Sequence, residues 1–236
     1  MTGFSDPGAV ASYRQRTAQL VPGLHDLHRM SGVLLAERVS GDARILVLGA
    51  GGGMELGMLS RMQPGWRFVG VDPSGPMLDL ARSNLGAAAA RVAFHEGYVD
   101  TAPEGPFDAA VCLLTLHFLP APERLATLRA LAGRLRPGAP FVCAHYSFPA
   151  EGAAPDRWLG RAAGFAAASG VPAPQAAGIV ARLRQLLPVL SPAQDEALLE
   201  DAGFADVELF YAALAFRGWI GIRSGPSVAA RAALPR

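Results

Sequence analysis

The chain has 236 residues, of which 51% are hydrophobic and 17% charged, with a formal net charge of +1. This composition argues for a packed core rather than a disordered chain, and the absence of any basic run gives no support for a nucleic-acid surface. The longest uncharged run, residues 162–181, is interrupted by Gly, Ser, Pro and Gln and is no membrane span. A chain of this length buries enough apolar surface to need no disulfide or metal staple. Cys112 and Cys143, each inside an apolar run, read as inert core residues. No basic region followed by an apolar one opens the sequence, so a cytoplasmic location is expected.

Ser5-Asp6-Pro7 is an N-cap followed by a proline that suits a first helical turn, and it predicts a helix to about Leu20. Val21-Pro22-Gly23 breaks that helix. A second, to about Val39, puts Leu24, Leu27, Met30, Leu34 and Leu35 on one face. From Arg44 the texture changes: Ile45, Leu46, Val47 and Leu48 form the short continuous apolar run of a strand buried on both faces. Similar runs follow at 67–71, 92–94, 109–114 and 141–145, separated by helical patterns at 54–62, 76–85 and 123–135. Arg136-Pro137-Gly138 stops the last of these helices. Residues 155–187 read as helices broken at 170–174, and another helix, 192–202, ends at Gly203. Residues 207–211 and 214–222 lie too close together for a helical crossover and should pair antiparallel.

The expected architecture is therefore α/β: a doubly wound, mostly parallel seven-stranded sheet closed by a C-terminal antiparallel hairpin. A single domain over 1–223 would comprise an N-terminal helical cap (1–40), a ligand-binding core (44–147), a helical insertion (155–187) and the C-terminal helix and hairpin (192–222). Residues 224–236 are expected to be a mobile tail.

The sharpest motif is Gly49-Ala50-Gly51-Gly52-Gly53, directly after the first buried strand. Glycines let the backbone turn sharply and approach a ligand closely, and the following helix offers unpaired N–H groups at the same place. Asp72 closes the second strand 23 residues after Gly49, the spacing at which an acid reaches the hydroxyls of a bound ribose. The alternative reading makes Asp72 a helix cap, although Ser74 is better placed for that. A dinucleotide loop of the form G-x-G-x-x-G would need glycine where Met54 stands. The pattern present is G-x-G-x-G.

The stretches ILVLGAGGG, FVGVDPSGPMLDLAR, FDAAVCLLTLHFLP and LRALAGRLRPGAPFV resemble class I S-adenosylmethionine-dependent methyltransferases over nearly the whole chain. Within that group the chain looks most like the carboxy-S-adenosylmethionine synthases, which prepare a modified cofactor for tRNA wobble-base modification. That likeness rests on Val21-Pro22-Gly23, Thr115-Leu116 with Phe118-Leu119, Ser147-Phe148 and Ala202-Gly203-Phe204. The resemblance implies S-adenosylmethionine as cofactor and S-adenosylhomocysteine as product. Gly49, Ala50, Gly51 and Gly53 would take the methionine end, Asp72 and Pro73 the ribose side, and Met77 the adenine. Gly97, Tyr98 and Val99 would lie by the adenine amine, with Leu113 and Leu114 completing the contacts.

The sequence departs from the family pattern in places. Tyr98 stands where an acid usually accepts from the adenine amine, and Val47 where an acid is common near the end of the first strand. Glu55 could serve the cofactor's ammonium, or be a solvated helix residue. Leu24 and Leu113 replace a tyrosine and an asparagine of the synthases. Arg182 keeps the spacing of the arginine that grips the extra carboxylate, or is a solvated helix face beside Arg184.

For methyl transfer a base is optional, because the sulfonium is already a strong electrophile. His117, just past the fourth strand, is the candidate base, with His145 second. No Asp/Asn-Pro-Pro-Tyr sequence follows the fourth strand, which argues against methylation of DNA-base amines. The apolar Leu113-Leu114-Thr115-Leu116 suggests a small, fairly hydrophobic acceptor, with no direct nucleic acid or membrane partner and with homodimer formation left open. Three functions follow: a small-molecule methyltransferase, a carboxy-S-adenosylmethionine synthase, or a cofactor-binding protein without catalysis.

Overall fold

The computed structural model describes residues 13–225. The expected helix start at Ser5 and most of the expected tail lie outside the described residues. Helices α1 (Tyr13–Leu20) and α2 (Leu24–Ala36) lead into strand β1 (Arg44–Leu48), followed by α3 (Met54–Met62), β2 (Arg67–Asp72), α4 (Gly75–Leu85) and β3 (Val92–Glu96). Then come β4 (Ala109–Leu113), α5 (Ala121–Arg134), β5 (Pro140–Tyr146), α6 (Ala154–Ala168), α7 (Ala173–Leu186), α8 (Pro192–Asp201), β6 (Phe204–Ala213) and β7 (Phe216–Arg223).

The seven strands form one sheet in the order β3-β2-β1-β4-β5-β7-β6. The first five are parallel, and β7 runs antiparallel to both β5 and β6. This is the expected mixed sheet. Burial follows position: every residue of central β4 and β5 is buried, whereas in the edge strand β6 only Phe204 and Tyr211 are. Helices pack on both faces, giving two apolar layers. One contains Ile45, Val47, Val111 and Val142 with Leu27 and Leu35 of α2; the other contains Leu46, Cys112, Phe141 and Trp219 with Leu128 and Leu131 of α5. Cys112 and Cys143 face each other in register on β4 and β5, both buried and free.

The chain runs outward from β1 to β2 and β3, then returns to β4 on the other side of β1. The connections above β1 and β4 therefore diverge, leaving the crevice at which open α/β sheets bind ligands. Among the described residues no helix is long and apolar enough to cross a membrane.

Strand β6 begins at Phe204, earlier than the expected 207. Phe204 pairs with Arg223 and stacks on Phe141 with ring centroids 5.0 Å apart, a contact between residues far apart in sequence that no local pattern announces.

A buried polar cluster ties α5, β5 and α8 together. Arg124 donates from Nη1 to Asp195 Oδ1 at 2.5 Å and from Nη2 to the carbonyls of Leu119 and Pro188, both at 3.1 Å. His145 Nε2 lies 3.2 Å from the same Asp195 oxygen, and Arg124, Asp195 and His145 are all 2% exposed or less. Burial pushes the Asp195 carboxyl up, but the facing His145 and Arg124 outweigh it and hold the group below the ordinary Asp value.

Removing one partner of a buried ion pair leaves the other uncompensated, at a cost of about 3–5 kcal/mol. Asp195→Ala should lose that much in urea unfolding; a loss under about 1 kcal/mol would contradict this account. Because the folded-state value is depressed, the wild-type contribution is present above about pH 4 and disappears as the pH falls below that.

Candidate functional site

A cleft of about 660 Å³ opens at the C-terminal ends of β1, β2 and β4. That is within the roughly 300–1,000 Å³ usual for small-ligand sites. Of the residues expected to bind a ligand, Gly49, Gly51, Asp72, Pro73, Met77, Gly97, Tyr98, Val99, Leu113 and Leu114 all line it. Ala50 and Gly53 lie behind the wall, buried, and Gly53 forms the N-cap of α3.

The loop is built by backbone geometry. The amides of Gly49 and Ala50 both donate to the Val71 carbonyl, at 2.8 and 3.0 Å, which draws the ends of β1 and β2 together. Gly49 has φ +75°, and a Cβ there would fall 1.9 Å from Thr115 Oγ1, so its glycine makes room for the chain leaving β4. Gly51, with φ +48°, is different. Its amide donates to Asp72 Oδ2 at 2.9 Å, and the nearest atom to an added Cβ is Tyr13 Oη at 3.3 Å. Gly51 lines the cleft, and any side chain there would crowd Tyr13 and a ligand alike.

Asp72 Oδ1 in turn accepts from the Ser74 amide at 2.9 Å, while the Ser74 hydroxyl caps α4 by accepting from Met77 N. The cap is Ser74, and Asp72 is left to hold the loop. Burial raises the Asp72 carboxyl above its ordinary value, opposed by these two amides. A carboxylate offers about four lone-pair sites, so two remain for a ligand's hydroxyls.

At the end of β4, Leu114 adopts φ +59°, and its amide donates to Ala144 O at 2.6 Å. A non-glycine residue in this region is strained, and such strain gathers at functional sites. Here it turns the chain so that Leu113, Leu114, Thr115 and Leu116 form an apolar wall. Helix α5 supplies the opposite side through Glu123, Ala126, Thr127 and Ala130. Sequence reasoning missed these residues, yet their spacing of three to four marks one helical face. Tyr13, whose phenol burial holds in its protonated form, was also missed; it reaches the loop from α1, across more than thirty intervening residues, without a local signal.

His117 does not line the cleft. It is buried in the short 3₁₀ turn Leu116–Phe118, its ring 5.2 Å from that of Tyr146, with Nδ1 facing the Tyr146 amide at 3.4 Å. Burial, with His145 and Arg124 nearby, drives its pKa well below the ordinary histidine value, so the imidazole is neutral at physiological pH. His145 is likewise buried, against Asp195. Glu55 is not solvated: it is 6% exposed, and its carboxyl is pushed up to about 8 by burial and by Asp72. Arg182 is exposed on α7, away from the cleft.

Among the described residues the side chains lining the cleft include three acids, Asp72, Asp100 and Glu123, and no arginine or histidine. The site therefore suits a ligand with a ribose and a positive charge. Residues 45–138 match the family of the methyltransferase domain. Over that stretch the chain carries a methyltransferase domain, which implies binding of S-adenosylmethionine. It is similar to the carboxy-S-adenosyl-L-methionine synthase of Haemophilus ducreyi, at 23% identity over 87% of this chain and 86% of that one. Its fold is similar to that of the S-adenosylmethionine-dependent methyltransferase SibL, with TM-score 0.58 and 20% identity, over 86% of this chain and 57% of that chain. An O-methyltransferase family protein from Burkholderia thailandensis gives TM-score 0.64 and 19% identity, over 95% of this chain and 62% of that chain. This chain thus spans under two thirds of either solved chain.

The two cleft-lining glycines should respond differently to a methyl group. Both Gly49→Ala and Gly51→Ala place an L-residue at positive φ, at roughly 1–2 kcal/mol. Only the first also collides with Thr115. Gly49→Ala should melt at least about 5 °C below Gly51→Ala; equal melting temperatures would mean that the Thr115 contact does not set the loop.

Proposed function

We propose that this methyltransferase acts on a small, fairly hydrophobic acceptor, using unmodified S-adenosylmethionine. The observation that carries this reading is the cleft itself: an Asp72-anchored glycine loop facing an apolar wall, with acids and, among the described residues, no cation lining it. When bound, the cofactor supplies an electrophilic methyl group on a sulfonium.

The chain's own residues then have assigned tasks. Asp72 accepts from the ribose hydroxyls through its remaining lone pairs, and the cleft-lining backbone of Gly49 and Gly51 meets the methionine end. Pro73 and Met77 border the adenine, with Gly97, Tyr98 and Val99 beside its amine. Leu113, Leu114 and Leu116 exclude water and hold an apolar acceptor in line, and orientation of this kind supplies several kcal/mol without a base. His117, neutral and turned to the Tyr146 amide, supports the end of β5.

The likeness to carboxy-S-adenosylmethionine synthases favours a second reading. An extra carboxylate on the cofactor would need a desolvated cation, and burying one beside Leu24 and Leu113 without full hydrogen bonding costs several kcal/mol. With Arg182 exposed elsewhere and three acids on the walls, the cleft favours the unmodified cofactor. Competition between the two cofactors separates the readings: a preference for the carboxylated form would overturn ours.

Two measurements test the proposal. Small apolar alcohols, phenols and amines, screened for S-adenosylhomocysteine release, should include a turned-over acceptor; a protein that binds the cofactor but releases none with any of them is a binder only. Asp72→Ala should raise the dissociation constant for S-adenosylmethionine about tenfold or more, since a hydrogen bond to a charged group contributes roughly 1.5–3 kcal/mol. Unchanged affinity by calorimetry would remove Asp72 from the site.

A further inference from the structure

Glu55 is a buried acid that the assignments above leave unused. It stands in the first turn of α3, two residues beyond the glycine loop, and is 6% exposed. Three titratable groups lie within its electrostatic reach: Tyr13 from α1, Asp72 at the end of β2, and Cys112 on β4. None of them is a cation, and among the described residues no ion pair reaches Glu55.

These neighbours place it. Tyr13 Oη approaches within 3.3 Å of where a Cβ on Gly51 would stand, and Tyr13 feels both Glu55 and Asp72. Cys112 immediately precedes Leu113, where the apolar wall of the cleft begins. Glu55 is thus buried in the first turn after the glycine loop, behind the residues that line the cleft. A carboxyl group kept from water without a cation is a costly thing to hold in a core. A ligand cation arriving across the loop would offset that cost.

Resting on the cofactor reading above, we propose that Glu55 is the counter-charge for the amino-acid end of S-adenosylmethionine, acting from the first turn after the glycine loop. Burial, with Asp72 adding a like charge, pushes its carboxyl up to about 8, so at neutral pH the free protein holds Glu55 mostly protonated. A cation seated near it favours the carboxylate, and the carboxyl proton passes to the buffer. Cofactor binding is thus coupled to release of roughly one proton, and by linkage affinity climbs as the pH rises toward about 8. Near that pH a free α-amine begins to lose its own proton, so affinity peaks there.

The test is calorimetry at about pH 6.5 in buffers of different ionisation enthalpy, with three probes. S-Adenosylmethionine and S-adenosylhomocysteine carry the α-ammonium; 5′-methylthioadenosine keeps the nucleoside and thioether but has no cation. Wild type should release close to one proton with each of the first two and none with the third. Glu55→Gln keeps the side chain's shape; it should abolish the release, flatten the pH profile and bind S-adenosylmethionine about tenfold more weakly, with 5′-methylthioadenosine unaffected. Binding of S-adenosylmethionine by wild type without proton release overturns the proposal, whether or not the variant folds. So does equal release from a folded Glu55→Gln. A wild type that binds none of the three probes overturns the cofactor reading and this inference with it.

Discussion

The site depends on one carboxylate shared between two backbone amides. Asp72 closes β2, takes the Gly51 N–H on one oxygen and the Ser74 N–H on the other, and so fixes the loop after β1 against the start of α4. Without that bridge the 49–53 backbone would have no reason to keep Gly51 at the crevice. The bridge is possible because β1 and β2 are adjacent and in parallel register, with Leu48 opposite Val71. The chain reversal from β3 to β4 then leaves the space above it clear.

The other wall needs a support of its own, and the buried Arg124 cluster supplies it. Arg124 is in the first turn of α5, and its guanidinium holds the Leu119 carbonyl on the cleft side and Asp195 of α8 on the other. Trp219 of β7 donates to Glu196 in the same helix. The cleft wall, the C-terminal helix and the antiparallel hairpin are thus joined through polar groups that tolerate no loss of a partner.

Much of this was legible in the sequence where the signal is local. Continuous apolar runs marked the buried strands, and Gly49, Gly51 and Asp72 marked the crevice because backbone approach and ribose binding each demand one residue type at one spacing. The illegible parts depend on packing between distant segments. Glu55 reads equally as a ligand of the cofactor's ammonium or a solvated helix residue, and His117 as a candidate base, until the tertiary fold buries both. Tyr13 and the Glu123, Thr127 and Ala130 face of α5 reach the cleft only through the tertiary fold. Arg182 kept a family spacing, but α7 lies on the outside of the molecule with only Ala176 buried, so spacing alone did not carry it to the site.

In the proposed site the Asp72-anchored loop is where the cofactor's nucleoside and amino-acid parts divide. A crystal structure of the chain with S-adenosylhomocysteine tests it directly. Ribose hydroxyls are expected within hydrogen-bond distance of Asp72, the homocysteine end against Gly49 and Gly51, and the adenine beside Met77 and Val99. A ligand seated away from Asp72, or one whose ribose reaches no carboxylate, would contradict it.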